Sequence, residues 1–188
     1  SILWIQDRNM STLKVSTIAP LGTDATKTIT IGDLTNGDVA AGAFTNTPAF
    51  YVTLSSNQSI GNNSYTKVAF DTESYDTDSA FDTTNNRFIV PTGKAGKYNF
   101  IAGSAIESVL DDGETFEIVF YKNGSRHNFG WMAVSSPATN YTVRLVVTTV
   151  IDLVAGDYVE TYVQHNEGGS QNIPSNSTFM TGYRLIGA

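Results

Sequence analysis

The sequence predicts an all-β fold, and three observations support it. Apolar and aromatic residues recur with period two along most of the chain. Turn residues interrupt them about every 8 to 15 positions. No segment sustains an amphipathic helical pattern: Ile106, Val109 and Leu110 have helical spacing, but Gly103 and Asp111-Asp112-Gly113 confine them to a turn or two. Many short strands with regular turn signals point to a sandwich or barrel.

The elements follow in chain order. Residues Ser1 to Asn9, SILWIQDRN, precede Met10, whose MSTLKVSTI resembles the beginnings of phage fibre and appendage proteins; the first nine residues then read as an upstream extension. From Leu13 to Phe44, short β-prone pieces (Leu13 to Ile18, Thr28 to Ile31) alternate with Pro20, Gly22, Gly32, Asn36-Gly37 and Gly42. Such pieces are too short and Gly-rich to form a core alone, so they read as a stem or arm. Thr47-Pro48 marks the boundary, giving an arm at 1–48 and a head at 49–188 that opens on the strand Ala49 to Leu54.

Between Ser64 and Ile106, Val68 and Phe70 share one strand face, Asp71 to Ala80 reads as a polar loop, and Phe81, Phe88, Val90, Tyr98 and Phe100 continue the period-two pattern. Thr115 to Lys122 places Phe116, Ile118 and Phe120 on one face and Glu117, Val119 and Tyr121 on the other. Asn123-Gly124 is a strong hairpin signal, with Ser125 to Val134 as the returning strand. Tyr141, Val143, Leu145, Val147, Thr149 and Ile151 line one face of a long strand whose other face carries Val146 and Val150, so it needs cover on both sides. Ala155-Gly156-Asp157 turns the chain into Tyr158 to His165, and Ser177 to Ile186 supplies the last strand.

The order Phe70-Asp71, Phe81-Asp82, Asn86-Arg87-Phe88, Pro91, Gly96 and Tyr98-Asn99-Phe100 resembles the opening strands of C1q/TNF-like jelly-roll domains, particularly bacterial and bacteriophage versions. Leu153, Gly156-Asp157-Tyr158-Val159 and Phe179, Gly182, Leu185-Ile186 resemble the last strands of the same family. The resemblance covers residues 49–188 and not the first 48. It implies a ten-stranded, two-sheet jelly-roll sandwich that assembles as a homotrimer. Independently, strands apolar on both faces leave an outer patch with Val119, Tyr121, Val146 and Tyr162, which is expected to be the trimer interface. The chain lacks the collagen-like Gly-x-y repeat that animal relatives often carry, so an animal complement or hormone role is not expected.

Composition narrows the function. A chain of 188 residues can bury a sizeable core, and without cysteine it relies on packing or assembly for stability. A formal net charge of −7 argues against nucleic acid, whose backbone selects clustered Lys and Arg. No apolar run approaches the roughly 20 residues of a membrane-spanning helix, so membrane insertion is not expected. Abundant Asn, Thr, Ser and Gly suit extracellular β proteins and viral fibres.

No enzyme is expected. His127 and His165, read as solvated, stand in no triad or metal-ligand spacing, and Asp111, Asp112 and Glu114 crowd one turn instead of facing each other across a cleft. Asp71, Glu73, Asp76, Asp78 and Asp82 form an acidic loop for which calcium is the alternative to simple solvation, but it lacks the Asp-x-Asp-x-Asp-Gly pattern, so no metal or cofactor is assigned. The expected function is a virion protein. In the first reading a trimeric fibre or appendage head attaches to a host cell-surface glycan or protein, while the arm holds other virion proteins. A capsid-decorating or joining trimer is the alternative, and a secreted bacterial binding protein the third option. Aromatics and amides suit sugars, and the expected ligand residues lie in loops: Trp131, His127 and Asn128 in one and Asn166, Gln171 and Asn172 in and beside Glu167 to Ser175, with Asn57 to Asn63 as a third candidate loop.

Overall fold

The computed structural model describes residues 46–137 and 142–185. The chain divides into two units, Ser1–Ala40 and Ala41–Ala188, and all described residues belong to the second. The stem reading, Met10 and the first nine residues lie outside the described residues.

Every extended segment is short and ends at a turn. In order the strands are β1 (Ala49–Thr53), β2 (Gln58–Ile60), β3 (Thr66–Lys67), β4 (Thr72–Asp76), β5 (Phe81–Asp82), β6 (Arg87–Ile89), β7 (Gly96–Ala105) and β8 (Thr115–Lys122). There follow β9 (Ser125–Ser135), β10 (Arg144–Leu153), β11 (Tyr158–His165), β12 (Gln171–Ile173), a single 3-10 turn (Ser175–Ser177) and β13 (Phe179–Arg184). The first sheet runs β10-β7-β13-β1-β4 and the second β5-β6-β11-β8-β9, so the sandwich consists of ten strands on two antiparallel paths. Beside them, β3 adds to β11, and β2 with β12 makes a small separate ribbon.

Period-two alternation explains how the sheets meet. β10 is buried at every second residue from Leu145 to Leu153, and β1 and β13 turn Phe50, Val52 and Met180 to the same side. Phe88 of the second sheet stacks on Phe50 of the first, with centroids 5.1 Å apart, and meets Phe100 at 5.4 Å; Phe100 reaches Phe120 at 6.0 Å. These rings fill the space between the sheets. Gly182 is required there, because a Cβ on it would lie 2.7 Å from Phe100 Cδ1 and 2.9 Å from Phe50 Cε1.

Four sequence expectations change. Thr72–Asp76, expected in a polar loop, forms the edge strand β4 against β1; its outward polar residues hid it from a pattern search. His127, Asn128 and Trp131 stand within β9, not in a loop, and the stretches around Asn57 to Asn63 and Gln171-Asn172 pair as the β2–β12 ribbon. His165 is fully buried instead of solvated, with Nδ1 accepting from Glu167 N at 3.2 Å and Nε2 3.4 Å from Ile60 O. Val119 is also fully buried, so it cannot belong to an exposed patch.

Candidate functional site

The residues expected to form one trimer patch lie on two different sheets. Val119 and Tyr121 are on β8 and Tyr162 on β11, all in the second sheet, whereas Val146 is on β10 in the first. Val119 points away from the inter-sheet core but is covered by its surroundings: it pairs with Tyr162 on one side and Trp131 on the other, and Tyr121 lies 4.1 Å from Tyr162, ring to ring. The single patch is therefore replaced by two surfaces with different chemistry.

The outward face of the first sheet carries an aromatic row and two exposed valines set among polar residues such as Thr148 and the paired Lys97 and Asp152. Tyr51 of β1 stacks on Phe179 of β13 at 5.7 Å with planes 3° apart, and Tyr75 of β4 follows at 6.4 Å. Gly103 makes this row possible, since a Cβ there would lie 2.4 Å from the Phe179 ring. Across the sheet, Val146 and Val150 remain 53% and 50% exposed, a level that leaves their faces unburied within one chain. The neighbouring rim adds Phe129, which is 86% exposed. It sits in a bulge: Tyr121 pairs with Arg126 and Val119 with Trp131, so the four residues His127 to Gly130 oppose Phe120 alone. Gly130 turns inward there, against Phe120 and Thr149, and His127 Nε2 comes 3.4 Å from Thr149 Oγ1 of β10, between the edge strands of the two sheets. Burial, and then the charge of Lys122, hold the His127 imidazolium below its ordinary pKa range.

The outward face of the second sheet is polar as well as aromatic. Glu117, in register between Phe116 and Ile118, is a buried carboxylate that needs a cation. Arg126, just after the hairpin, supplies it through an ion pair. Arg126 Nη1 also donates to the Tyr65 hydroxyl at 2.7 Å, which in turn donates to Glu117 Oε2 at 2.8 Å. The guanidinium lies 5.5 Å from the Tyr65 centroid and 5.2 Å from that of Trp131, packed between two rings. Burial and the Glu117 carboxylate push the Tyr65 phenol up to about 12. Beside it, Lys67 Nζ meets the buried Glu160 at 3.0 Å.

The fold itself is recognisable at this point. The structure is similar to the globular domain of zebrafish complement 1qA protein, with 18% identity over 74% of this chain and 98% of that one and a TM-score of 0.51. It is similar to murine APRIL, with 13% identity over 73% of this chain and 98% of that one and a TM-score of 0.53. This is a C1q/TNF-like jelly roll. No protein-family model and no curated protein sequence matches the chain.

On this jelly roll the expected ligand residues separate into two groups. Trp131 lies level with Val119, whereas Asn166 lies level with Thr115 at the start of the same strand, four residues or about 13 Å away. Two side chains of the second group are occupied structurally: Asn166 Oδ1 accepts from Thr115 N at 2.6 Å and the Gln171 amide donates to Glu167, whereas Asn172 is exposed and only its backbone carbonyl accepts, from Glu107 N at 2.9 Å. Of the acidic loop residues, all but the exposed Glu73 have partners among the described residues. Asp71 accepts from Ser55, Asp76 from Phe81 N, Asp82 from Thr84 N and Asn85 N, and Asp78 pairs with Lys94. Glu114 accepts from Asp111 N within its own turn. The sequence reading missed Tyr65, Lys67, Glu117, Arg126 and Glu160. Their available signal was a carboxylate alternating with Val119 and Tyr121 on one strand face, which calls for a cation from a neighbouring strand.

Proposed function

We propose that the chain is a virion structural protein whose head forms a homotrimer and attaches to a glycan or protein on a bacterial surface. Residues 1–48 serve as the arm that holds other virion proteins, and the head is non-catalytic and acts outside the cell. The observation that carries the assembly is a pair of apolar patches: on the first sheet the aromatic row Tyr51, Tyr75 and Phe179, and at its β10 edge Val146 and Val150, with Phe129 of β9 from the second sheet beside them. They are different patches of one molecule, so one can be joined to the other between neighbouring subunits, and a ring of three is the closed form proposed for this head. Burying a few hundred Å² at about 25 cal/mol per Å² contributes several kcal/mol before association costs.

Light scattering coupled to size exclusion tests the assembly, with a mass near three times the 20.3 kDa chain as the expected result. A monomer at micromolar concentration would refute it. Attachment is tested by fluorescent labelling of the full chain: it should coat host cells, whereas binding only to host-free capsids would point to decoration.

A further inference from the structure

The outward face of the second sheet carries a preorganised cluster that the proposed trimer contacts leave unused. Four ionisable side chains meet there, Arg126 with Glu117 and Lys67 with Glu160, and their formal charges cancel. Both carboxylates are buried although they point away from the inter-sheet core, a costly arrangement on a face that threonine or valine could cover. The parts are held by β3, β8, β9 and β11 and their flanks, so the geometry does not depend on a mobile loop.

The rings add an accessible apolar surface. Trp131 is 48% exposed and Tyr65 38%, even with the guanidinium packed against both. Tyr65 and Glu117 engage two of the five N–H donors of Arg126, and a carboxylate has lone pairs beyond the bonds Glu117 accepts. Fixed donors and acceptors beside an exposed ring match a polyhydroxylated molecule with an apolar C–H face. Charge selects further. A balanced cluster on a chain of net charge −7 gives no attraction to uronate or sialate sugars, and its carboxylates are already paired against a cationic ligand.

We propose that this face binds neutral hexose units of a surface glycan, with Trp131 as the stacking platform and Tyr65, Arg126 and Glu117 as partners for the hydroxyls. The inference rests on the attachment reading and gives it a ligand class. Sugar hydroxyls reach preformed partners while the ring of the sugar displaces water from the indole.

The test uses the full chain on immobilised neutral gluco-, galacto- and manno-oligosaccharides, with galacturonate and sialylated oligosaccharides alongside. Retention on at least one neutral series and none on the acidic ones is expected. Trp131→Ala should weaken that binding about tenfold or more, Trp131→Phe should restore most of it, and the mass by light scattering should stay the same in both. Retention confined to acidic sugars, or Trp131→Ala binding like the parent, overturns the proposal. A blank array from a protein that still coats cells overturns the sugar site and leaves attachment through a protein receptor. A blank array with no cell coating overturns both readings.

Discussion

Two glycines that both sit under aromatic rings have opposite consequences. A methyl at Gly182 would press on Phe100 and Phe50, both fully buried between the sheets and in contact with further rings, so neither can move aside. Gly182→Ala is expected to cost about 1–3 kcal/mol and to lower the melting temperature; an unchanged melting curve would mean that the rings repack. A methyl at Gly103 meets first the Phe179 ring, on the outward face, where the ring can swing towards solvent. That substitution should spare the fold and disturb the stack on Tyr51. Neither role can be read from the sequence, because each depends on a ring brought in from a strand far along the chain.

At the scale of elements, the hairpin after β8 and the turn before β11 act as one unit. Asn123 and Gly124 adopt positive φ of 51° and 76°, as a two-residue hairpin requires. Asn123 Nδ2 donates to Asp157 Oδ1 at 2.8 Å and its Oδ1 accepts from Tyr158 N at 2.9 Å, while Asp157 Oδ2 accepts from Val154 N at 3.0 Å and meets Lys122 Nζ at 3.1 Å. The Asn123 amide first, then Val154 N, hold the Asp157 carboxyl below the ordinary carboxylate range. A carboxyl depressed by folding stabilises the fold above the unfolded-state value of about 4, and that contribution fades as the pH falls through the folded value. Asp157→Asn should therefore be less stable by about 1 kcal/mol in urea at pH 7, and the two proteins should converge as the pH drops below about 4. Equal stability at pH 7 would show that the charge contributes nothing. The long strands β7, β8, β10 and β11 were legible because alternation and flanking Gly or Asp mark them locally. The β9 bulge and the covering of Val119 were not: period two assigned Val119 to the outward face, but only distant Tyr162 and Trp131 decide that this face is closed.

For the whole molecule, the sandwich separates two tasks. On the proposed assembly the first sheet, with its aromatic row and exposed valines, meets like chains, and the second keeps a neutral, aromatic and polar face. Val150 is half exposed in one chain, so a charge there is tolerated by the monomer but not by a buried contact. Val150→Glu should reduce the mass in solution from three chains to one with the far-ultraviolet circular dichroism unchanged; a persistent trimer would move the contact off this rim. The overall jelly roll was legible in sequence, whereas the division of labour between its faces required the register of strands far apart in the chain.

Four residues of β9 crowd opposite Phe120, and the rim of that strand therefore cannot present an even row of N–H and C=O groups. An incoming strand would lose its ladder within a few residues. Chains at high local density can thus display Phe129 and an apolar edge without zipping side by side into a continuous β-ribbon.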